Sequence, residues 1–153
     1  MIHRFIARNI QSFSFILALA VVGCIAPAVA QTPATVYVDA DFAGANFGDT
    51  VQFTMPGGGT VEAEFGVNAF GELQNGVDAV DENGTVLLGS DIVEDLVAVD
   101  KALTLDGNGF TLSSTSPNFG VSIQSTDATI ENLVVEDAGT FGIHQSPGSD
   151  NLV

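Results

Sequence analysis

Acidic residues are the ones whose number and spacing could support metal binding or catalysis, because the chain contains 19 Asp and Glu. Two of them, Asp127 and Asp150, occupy similar turns in successive copies of a sequence repeat. Stacked in this way they could bind Ca²⁺ weakly, and without a cation the two like charges would repel. Asp127 and Asp150 are therefore weak metal-site candidates, and Ca²⁺ is the one cofactor that the sequence suggests.

Catalytic arrangements are harder to build from these residues. Hydrolysis by paired carboxylates requires two or three acids on one face, one of them with a raised pKa. Most of the acids here fall in turns and repeat no shared face, which favours turn-forming and solvating roles. His144 is the one histidine beyond residue 3, so no multi-histidine metal site is available, and we expect it at the surface end of a strand.

Two other acidic motifs resemble calcium loops only superficially. Asp39-Ala40-Asp41 and Asp106-Gly107-Asn108 do not continue to the glycine and distal glutamate of an EF-hand. The sequence therefore predicts no catalytic residue and leaves enzymatic activity of this chain uncertain, with a non-catalytic role favoured.

The first thirty residues have the organisation of a signal peptide. Arg4 and Arg8 precede an uncharged apolar run at residues 13–22, and Ala28-Val29-Ala30 supplies small residues for cleavage after Ala30. This pattern predicts a secreted or cell-surface protein. Two alternatives stay open: lipoprotein processing at Cys24, which follows Val21-Val22-Gly23, and a retained membrane anchor.

Removal of residues 1–30 would leave an unusually acidic protein. Lys101 would be its one basic residue against all 19 Asp and Glu, a formal charge of −18. Such a surface repels nucleic acid and anionic membranes, so neither is an expected partner. Because Cys24 would be lost, no disulfide would be available.

The elements that must position these side chains are mainly short strands. Residues 31–65 read as N-terminal strands and loops, with strands expected at 35–39, 51–55 and 60–65. Residues 66–83 read as a capping helix, because Phe70, Leu73, Val77 and Val80 share one helical face. Asn68 is the expected N-cap, and Asn83-Gly84 should stop the element.

Residues 84–153 consist of short strand-forming segments separated by turns, and part of this sequence repeats. Gly120-Val121 recurs as Gly142-Ile143 after 22 residues, and Thr129-Ile130 recurs as Asn151-Leu152. Gln124-Ser125 recurs as Gln145-Ser146 after 21, which suggests one residue added in a turn. A period of roughly 20–25 residues predicts about three stacked β-coils.

Alternation of apolar and polar residues within these segments predicts which side chains point into the coils. The residues expected inside are Val86, Leu88, Val97, Val99, Leu103, Leu105, Val121, Ile123, Leu133 and Val135. Those expected outside or at corners are Asp100, Thr104, Ser122 and Val134.

Four segments together are similar to a known family. Residues 69–80 resemble a capping-helix pattern AF-x-x-IQ-x-AVDA, with Leu73 and Gly76 in place of I and A, and Gly84-Thr85-Val86 resembles the start of GTV-x-V. Residues 94–99 match E-N-V-x-I, and residues 101–107 match K-x-LTL-x-G. Together these segments resemble the N-terminal module of right-handed parallel β-helix proteins of the pectate-lyase-like superfamily. The resemblance covers about residues 65–153 and departs at Gly89-Ser90-Asp91, where G-T-Y is usual.

The resemblance implies an all-β fold, a right-handed parallel β-helix of about three coils with one N-terminal capping α-helix. Lyases of this superfamily use an Arg or Lys base with carboxylates that hold Ca²⁺, and its esterases also need an Arg. This chain has no arginine beyond Arg8, and Lys101 sits in the corner that the family pattern already contains, which implies a structural role.

The sequence therefore favours an exported acidic β-helix module, non-catalytic, that interacts with polysaccharide or extracellular matrix. The alternative is the N-terminal part of a polysaccharide-active lyase or hydrolase whose catalytic coils lie beyond Val153. Leu152-Val153 reads as the start of a further strand, so we expect truncation there or self-association through the edge of the last coil.

Overall fold

The computed structural model of the chain describes residues 32–147. The predicted signal peptide, Cys24, Asp150 and the predicted strand at Leu152-Val153 lie outside the described residues. Within residues 32–147, no helix has the length and apolar character needed to cross a membrane.

Residues 32–147 form short strands and one α-helix. The N-terminal elements are β1 (Thr35–Val38), a 3-10 turn (Ala40–Phe42), β2 (Thr50–Thr54), β3 (Thr60–Glu64), β4 (Ala69–Phe70) and α1 (Leu73–Ala79). The later strands are β5 (Gly84–Leu88), β6 (Ile92–Glu94), β7 (Val97–Val99), β8 (Leu103–Asp106), β9 (Thr111–Ser114), β10 (Phe119–Ile123), β11 (Ala128–Glu131), β12 (Val134–Glu136) and β13 (Phe141–Gln145). This β-rich content with one helix agrees with the all-β expectation.

From β5 onward the chain visits three parallel sheets in rotation. The first sheet has the order β11-β8-β5-β1-β4, the second is β12-β9-β6, and the third is β13-β10-β7. Every third strand therefore returns to the same sheet and pairs in parallel with its predecessor. Parallel strands need such long connections between partners.

The register of the third sheet tests the predicted repeat. Val121 pairs with Ile143, which confirms the 22-residue offset of Gly120-Val121 and Gly142-Ile143. Ile123 pairs with Gln145, so the offset is still 22 there. The change to a 21-residue offset, predicted from Gln124-Ser125 and Gln145-Ser146, is therefore wrong. Gln145 pairs with Ile123 and not with Gln124, so the two glutamines are similar residues that are not in register.

Inward side chains from all three sheets share one apolar core. Eight of the ten residues predicted to point inward are buried: Val86, Leu88, Val97, Val99, Leu103, Leu105, Val121 and Ile123. Leu133 and Val135 are only half-buried. Ser122, predicted outside, is only 7% exposed and corrects that expectation. Its small side chain lies in register between Ala98 and His144.

Helix α1 begins later than the sequence predicts. Ala69 and Phe70 form β4, where Ala69 pairs with Tyr37 of β1, so strand pairing takes the residues expected in the first helical turn. The N-cap residue is Glu72 rather than Asn68. The Asn68 side chain instead accepts a hydrogen bond of 2.8 Å from the Glu64 N–H and stabilises the turn before β4.

The apolar face of α1 packs against the core. Leu73, Val77 and Val80 are buried in the same cluster as Val36 and Val38 of β1. Gly76 lies so close to β1 that a Cβ atom there would be 2.5 Å from Val38 Cγ2. Glycine at this position therefore allows the close approach of helix and strand, at a cost in helix propensity.

The polar face of α1 is bound by the edges of the second and third sheets. The Glu94 carboxylate accepts hydrogen bonds from the N–H groups of Leu73 (2.7 Å) and Gln74 (3.0 Å). The Gln74 side chain pairs with Ala98 as a strand would, accepting from its N–H at 2.7 Å and donating to its carbonyl at 3.2 Å. Gln74 thus satisfies main-chain groups at the edge strand β7.

Lys101 binds the other end of the helix. Its Nζ donates to the carbonyl oxygens of Asp78 (2.9 Å) and Val80 (2.7 Å). The last carbonyls of a helix have no partner within it, and a cation there also interacts favourably with the helix dipole. We call Gln74, Glu94 and Lys101 the cap clamp.

The antiparallel hairpin β2–β3 covers part of the outer face of the first sheet. Phe53 is fully buried against Tyr37, with a ring-centroid distance of 4.8 Å, and Leu87 packs on the same cluster. Strand β1 pairs with β5 along its whole length, from Thr35↔Thr85 to Val38↔Leu88. The N-terminal segment 31–65 therefore contributes a strand to the same sheet as residues 84–147.

Candidate functional site

An open groove lies where the tip of the β2–β3 hairpin meets the turns that leave the first sheet. It has a volume of about 600 Å³. Its lining residues are Pro56, Asn108, Gly109, Asn132, Leu133 and Val134, and we call it the asparagine groove. Pro56 comes from the hairpin, Asn108 and Gly109 from the β8–β9 connection, Asn132 and Leu133 from the β11–β12 connection, and Val134 from the start of β12.

Two asparagines in left-handed backbone conformation form this groove. Asn108 has φ 51° and Asn132 has φ 52°, a region that asparagine tolerates better than most residues. The two turns are stacked closely, since a Cβ atom on Gly107 would be 2.6 Å from the Asn132 carbonyl oxygen. Glycine at position 107 therefore lets the Asn132 turn lie directly against the preceding one.

Hydrogen bonds hold both asparagine side chains. Asp106 Oδ1 accepts from the Asn108 N–H at 2.9 Å and from Asn132 Nδ2 at 3.0 Å. Asn108 Nδ2 donates to the Leu88 carbonyl at 2.6 Å. These bonds use one N–H of each amide, and within residues 32–147 the Oδ1 atoms of Asn108 and Asn132 have no hydrogen-bond donor.

A second feature is a row of threonines on the outer face of the first sheet. Thr35 pairs with Thr85, Thr85 with Thr104, and Thr104 with Thr129, so the four residues are in register on four adjacent strands. All four are half-buried. We call them the threonine column. Adjacent strands are about 4.8 Å apart, so the hydroxyls recur at about that interval.

A third feature is an aromatic group on the third sheet. The ring of Phe119 stacks on His144 at a centroid distance of 4.1 Å and on Phe141 at 6.1 Å. Phe141 is 56% exposed. His144, expected as a strand-end surface residue, is half-buried within β13, and its Nδ1 is buried with no hydrogen-bond partner in the described part of the chain.

Of the two predicted metal-site residues, Asp127 lies within the described residues. Asp127 is exposed, accepts a hydrogen bond from Thr126 Oγ1 at 3.1 Å and donates its N–H to Ser125 Oγ, while Asp150 lies outside the described residues. The acids that do stand in register are Asp106 and Glu131. Residues 32–147 contain no cluster of three or more His, Cys, Asp or Glu that could hold a metal ion.

The two calcium-like motifs have local structural roles. Asp39 Oδ1 accepts from the Asp41 N–H at 3.0 Å and so caps the 3-10 turn. Asp106 organises the asparagine turns described above. Lys101 belongs to the cap clamp, where its amine holds two helix carbonyls.

Sequence reasoning missed the asparagine groove. The available signal was the turn chemistry, because Asn108-Gly109 and Asn132 each follow the end of a strand in the first sheet. Pro56 could not be associated with them, since the hairpin meets these turns only through tertiary packing. Comparison with known proteins adds no assignment: no family model, no curated protein and no solved structure matches the chain.

Proposed function

We propose that this chain is an exported module with a right-handed parallel β-helix fold, closed at its N-terminal end by α1, that binds extracellular glycans or matrix without catalysing a reaction. The rotation of the chain through three parallel sheets supports this fold, as does the single core that they share. The export step rests on the signal-peptide pattern of residues 1–30.

The threonine column is the observation that carries the proposal. A hydroxyl both donates and accepts hydrogen bonds, and its methyl group offers a small apolar contact. A row of four such groups at strand spacing presents one uncharged polar unit on each strand. This regular surface suits an extended polymer with its own repeating hydroxyls.

The charge of the protein selects among polymers. Residues 31–153 contain 19 acids and Lys101 as the one basic residue, so anionic polysaccharides, nucleic acid and anionic membranes are repelled. Neutral glycans carry no such penalty. The non-catalytic part of the proposal is supported by Lys101, the one candidate amine base in this segment, because both main-chain bonds of its Nζ serve the helix end.

Retention by insoluble neutral glycans tests the proposal. The secreted protein is incubated with cellulose, β-glucan or xylan, and with a polyuronate, at low and moderate salt. The double variant Thr104→Val/Thr129→Val removes two hydroxyls but keeps shape and strand propensity. We expect about thirtyfold weaker retention by the neutral glycan, given about 1 kcal/mol for each of the two lost hydrogen bonds.

The matched control is Thr54→Val/Thr60→Val, two exposed threonines that face each other in the hairpin. It should retain wild-type binding. Failure of the wild-type protein to bind any neutral glycan would overturn the proposal, and so would equal losses in the two double variants. Release of new reducing ends from a polymer would overturn its non-catalytic part.

A further inference from the structure

We propose that the asparagine groove is a second glycan site, which binds a short segment of a neutral oligosaccharide rather than an extended polymer. This inference rests on the proposed glycan-binding function and deepens it by assigning a site and a ligand class. The groove volume of about 600 Å³ lies within the roughly 300–1,000 Å³ of small-ligand clefts.

The polar side of the groove is formed by the amides of Asn108 and Asn132. One N–H of each amide is bonded to the protein, so each side chain presents its Oδ1 and its second N–H. Asp106 and Glu131 stand in register with each other beside the groove but do not line it. A ligand that matches these amides must both donate and accept hydrogen bonds, as sugar hydroxyls do.

The apolar side of the groove is supplied by Pro56, Leu133 and Val134. Val134 is 44% exposed, which leaves apolar surface for a ligand to cover. Sugar rings have hydroxyls at their edges and C–H groups on their faces. One such ring could therefore contact the aliphatic side with its face and the amide oxygens with its edge.

The site is also rigid before a ligand arrives. Asn108 and Asn132 share Asp106 as an acceptor, and Asn108 is further bonded to Leu88 across the sheet. Side chains already fixed in position lose little conformational entropy on binding. The carboxylates of Asp106 and Glu131, which stand in register beside the groove, repel anionic sugars. The groove should therefore prefer neutral sugars to uronates.

Two exposed valines on the second sheet allow a matched test. Val134 lines the groove, whereas Val93 is 74% exposed on the edge strand β6 and does not line it. Val134→Glu and Val93→Glu add the same charge to the same sheet. With neutral tetrasaccharides of glucose or xylose as probes, titration calorimetry should give at least tenfold weaker binding for Val134→Glu and wild-type affinity for Val93→Glu.

Asn132→Gly gives an independent second variant. Glycine accepts the left-handed backbone and removes the side-chain amide, so the turn keeps its shape. We expect weaker binding of the tetrasaccharide by roughly fivefold or more, with retention by insoluble polymer unchanged. Backbone amide shifts on titration should be confined to residues 108–109 and 132–134 and to the tip of the hairpin.

The possible results separate the two proposals. Wild-type tetrasaccharide affinity in both Val134→Glu and Asn132→Gly would overturn the groove site, even if polymer retention depends on the threonine column. Loss of tetrasaccharide binding in these variants, together with unchanged polymer retention in Thr104→Val/Thr129→Val, would support the groove site and overturn the role of the threonine column. Tighter binding of a galacturonate tetrasaccharide than of the neutral probes would overturn the ligand class.

Discussion

At the cap clamp the amide of Gln74 is bonded to the main chain of Ala98, whereas at the asparagine groove the amides of Asn108 and Asn132 keep acceptor oxygens with no partner within residues 32–147. Both regions use amides and carboxylates at the ends or edges of sheets. In the clamp their bonds join a helix to edge strands. In the groove they fix the side chains but leave hydrogen-bonding capacity for a ligand.

This difference predicts different costs of mutation. Removal of a clamp side chain exposes unsatisfied main-chain groups beneath a docked helix and lowers the stability of the fold. Removal of a groove side chain exposes groups that water can reach, so the loss should appear in binding.

Gly76→Ala should destabilise the cap by about 1–3 kcal/mol, because the new methyl group would overlap the buried side chain of Val38. In an isolated helix the same change would be favourable by about 1 kcal/mol, so the sign of the effect is informative. Urea unfolding measures it. Gly57→Ala is the control, since nothing lies within 4 Å of a Cβ there. A stabilised Gly76→Ala protein would mean that the helix does not dock closely on β1.

Gln74→Met and Asn132→Gly compare an amide removed from each region. Gln74→Met should lower the free energy of unfolding by about 1–2 kcal/mol, because both bonds to Ala98 are lost. Asn132→Gly should change it by no more than about 0.5 kcal/mol, as is typical of an exposed side chain. Equal costs at the two positions would remove the distinction between clamp and groove.

Glu94→Gln should show a smaller effect that depends on pH. Burial raises the pKa of Glu94, while the N–H bonds from Gln74 and Leu73 act in the opposite direction. The folded state therefore holds this proton more tightly than the unfolded state, so the contribution of Glu94 is largest at acid pH and is lost as pH rises through its pKa.

Glutamine at position 94 does not titrate, so the stability difference between the two proteins should change with pH. The cost of Glu94→Gln should shrink as the pH rises above the usual glutamate range. Denaturant unfolding of both proteins at each pH provides the difference directly. A cost that grows with pH would show that the two N–H bonds outweigh burial.

The sequence predicted much of the strand framework because alternation and turn residues are local signals. Val97, Val99 and Val121 are buried as their spacing indicated, and the pair Val121↔Ile143 has the expected offset. The start of α1 was misplaced because Phe70 fits both a helical face and the two-residue strand β4. Pairing with β1, a non-local interaction, decides between them.

The candidate sites were less predictable for the same reason. The threonine column depends on the register of Thr35 with Thr85 across fifty residues, which includes a hairpin and a helix. The asparagine groove needs Pro56, whose position follows from packing of Phe53 on Tyr37. The sequence analysis named none of these threonines and asparagines as ligand-binding residues, because only tertiary packing places them together.

Lys101 gives the cap clamp a consequence for proteolysis. It is the one lysine or arginine in residues 32–147, so trypsin has a single target there, the bond between Lys101 and Ala102. In the folded structure the Lys101 amine donates to two carbonyl oxygens at the end of α1, and Ala102 is buried. Neither residue is therefore free to enter a protease active site. Tryptic cleavage of the protein therefore reports how often α1 leaves its place against the apolar core.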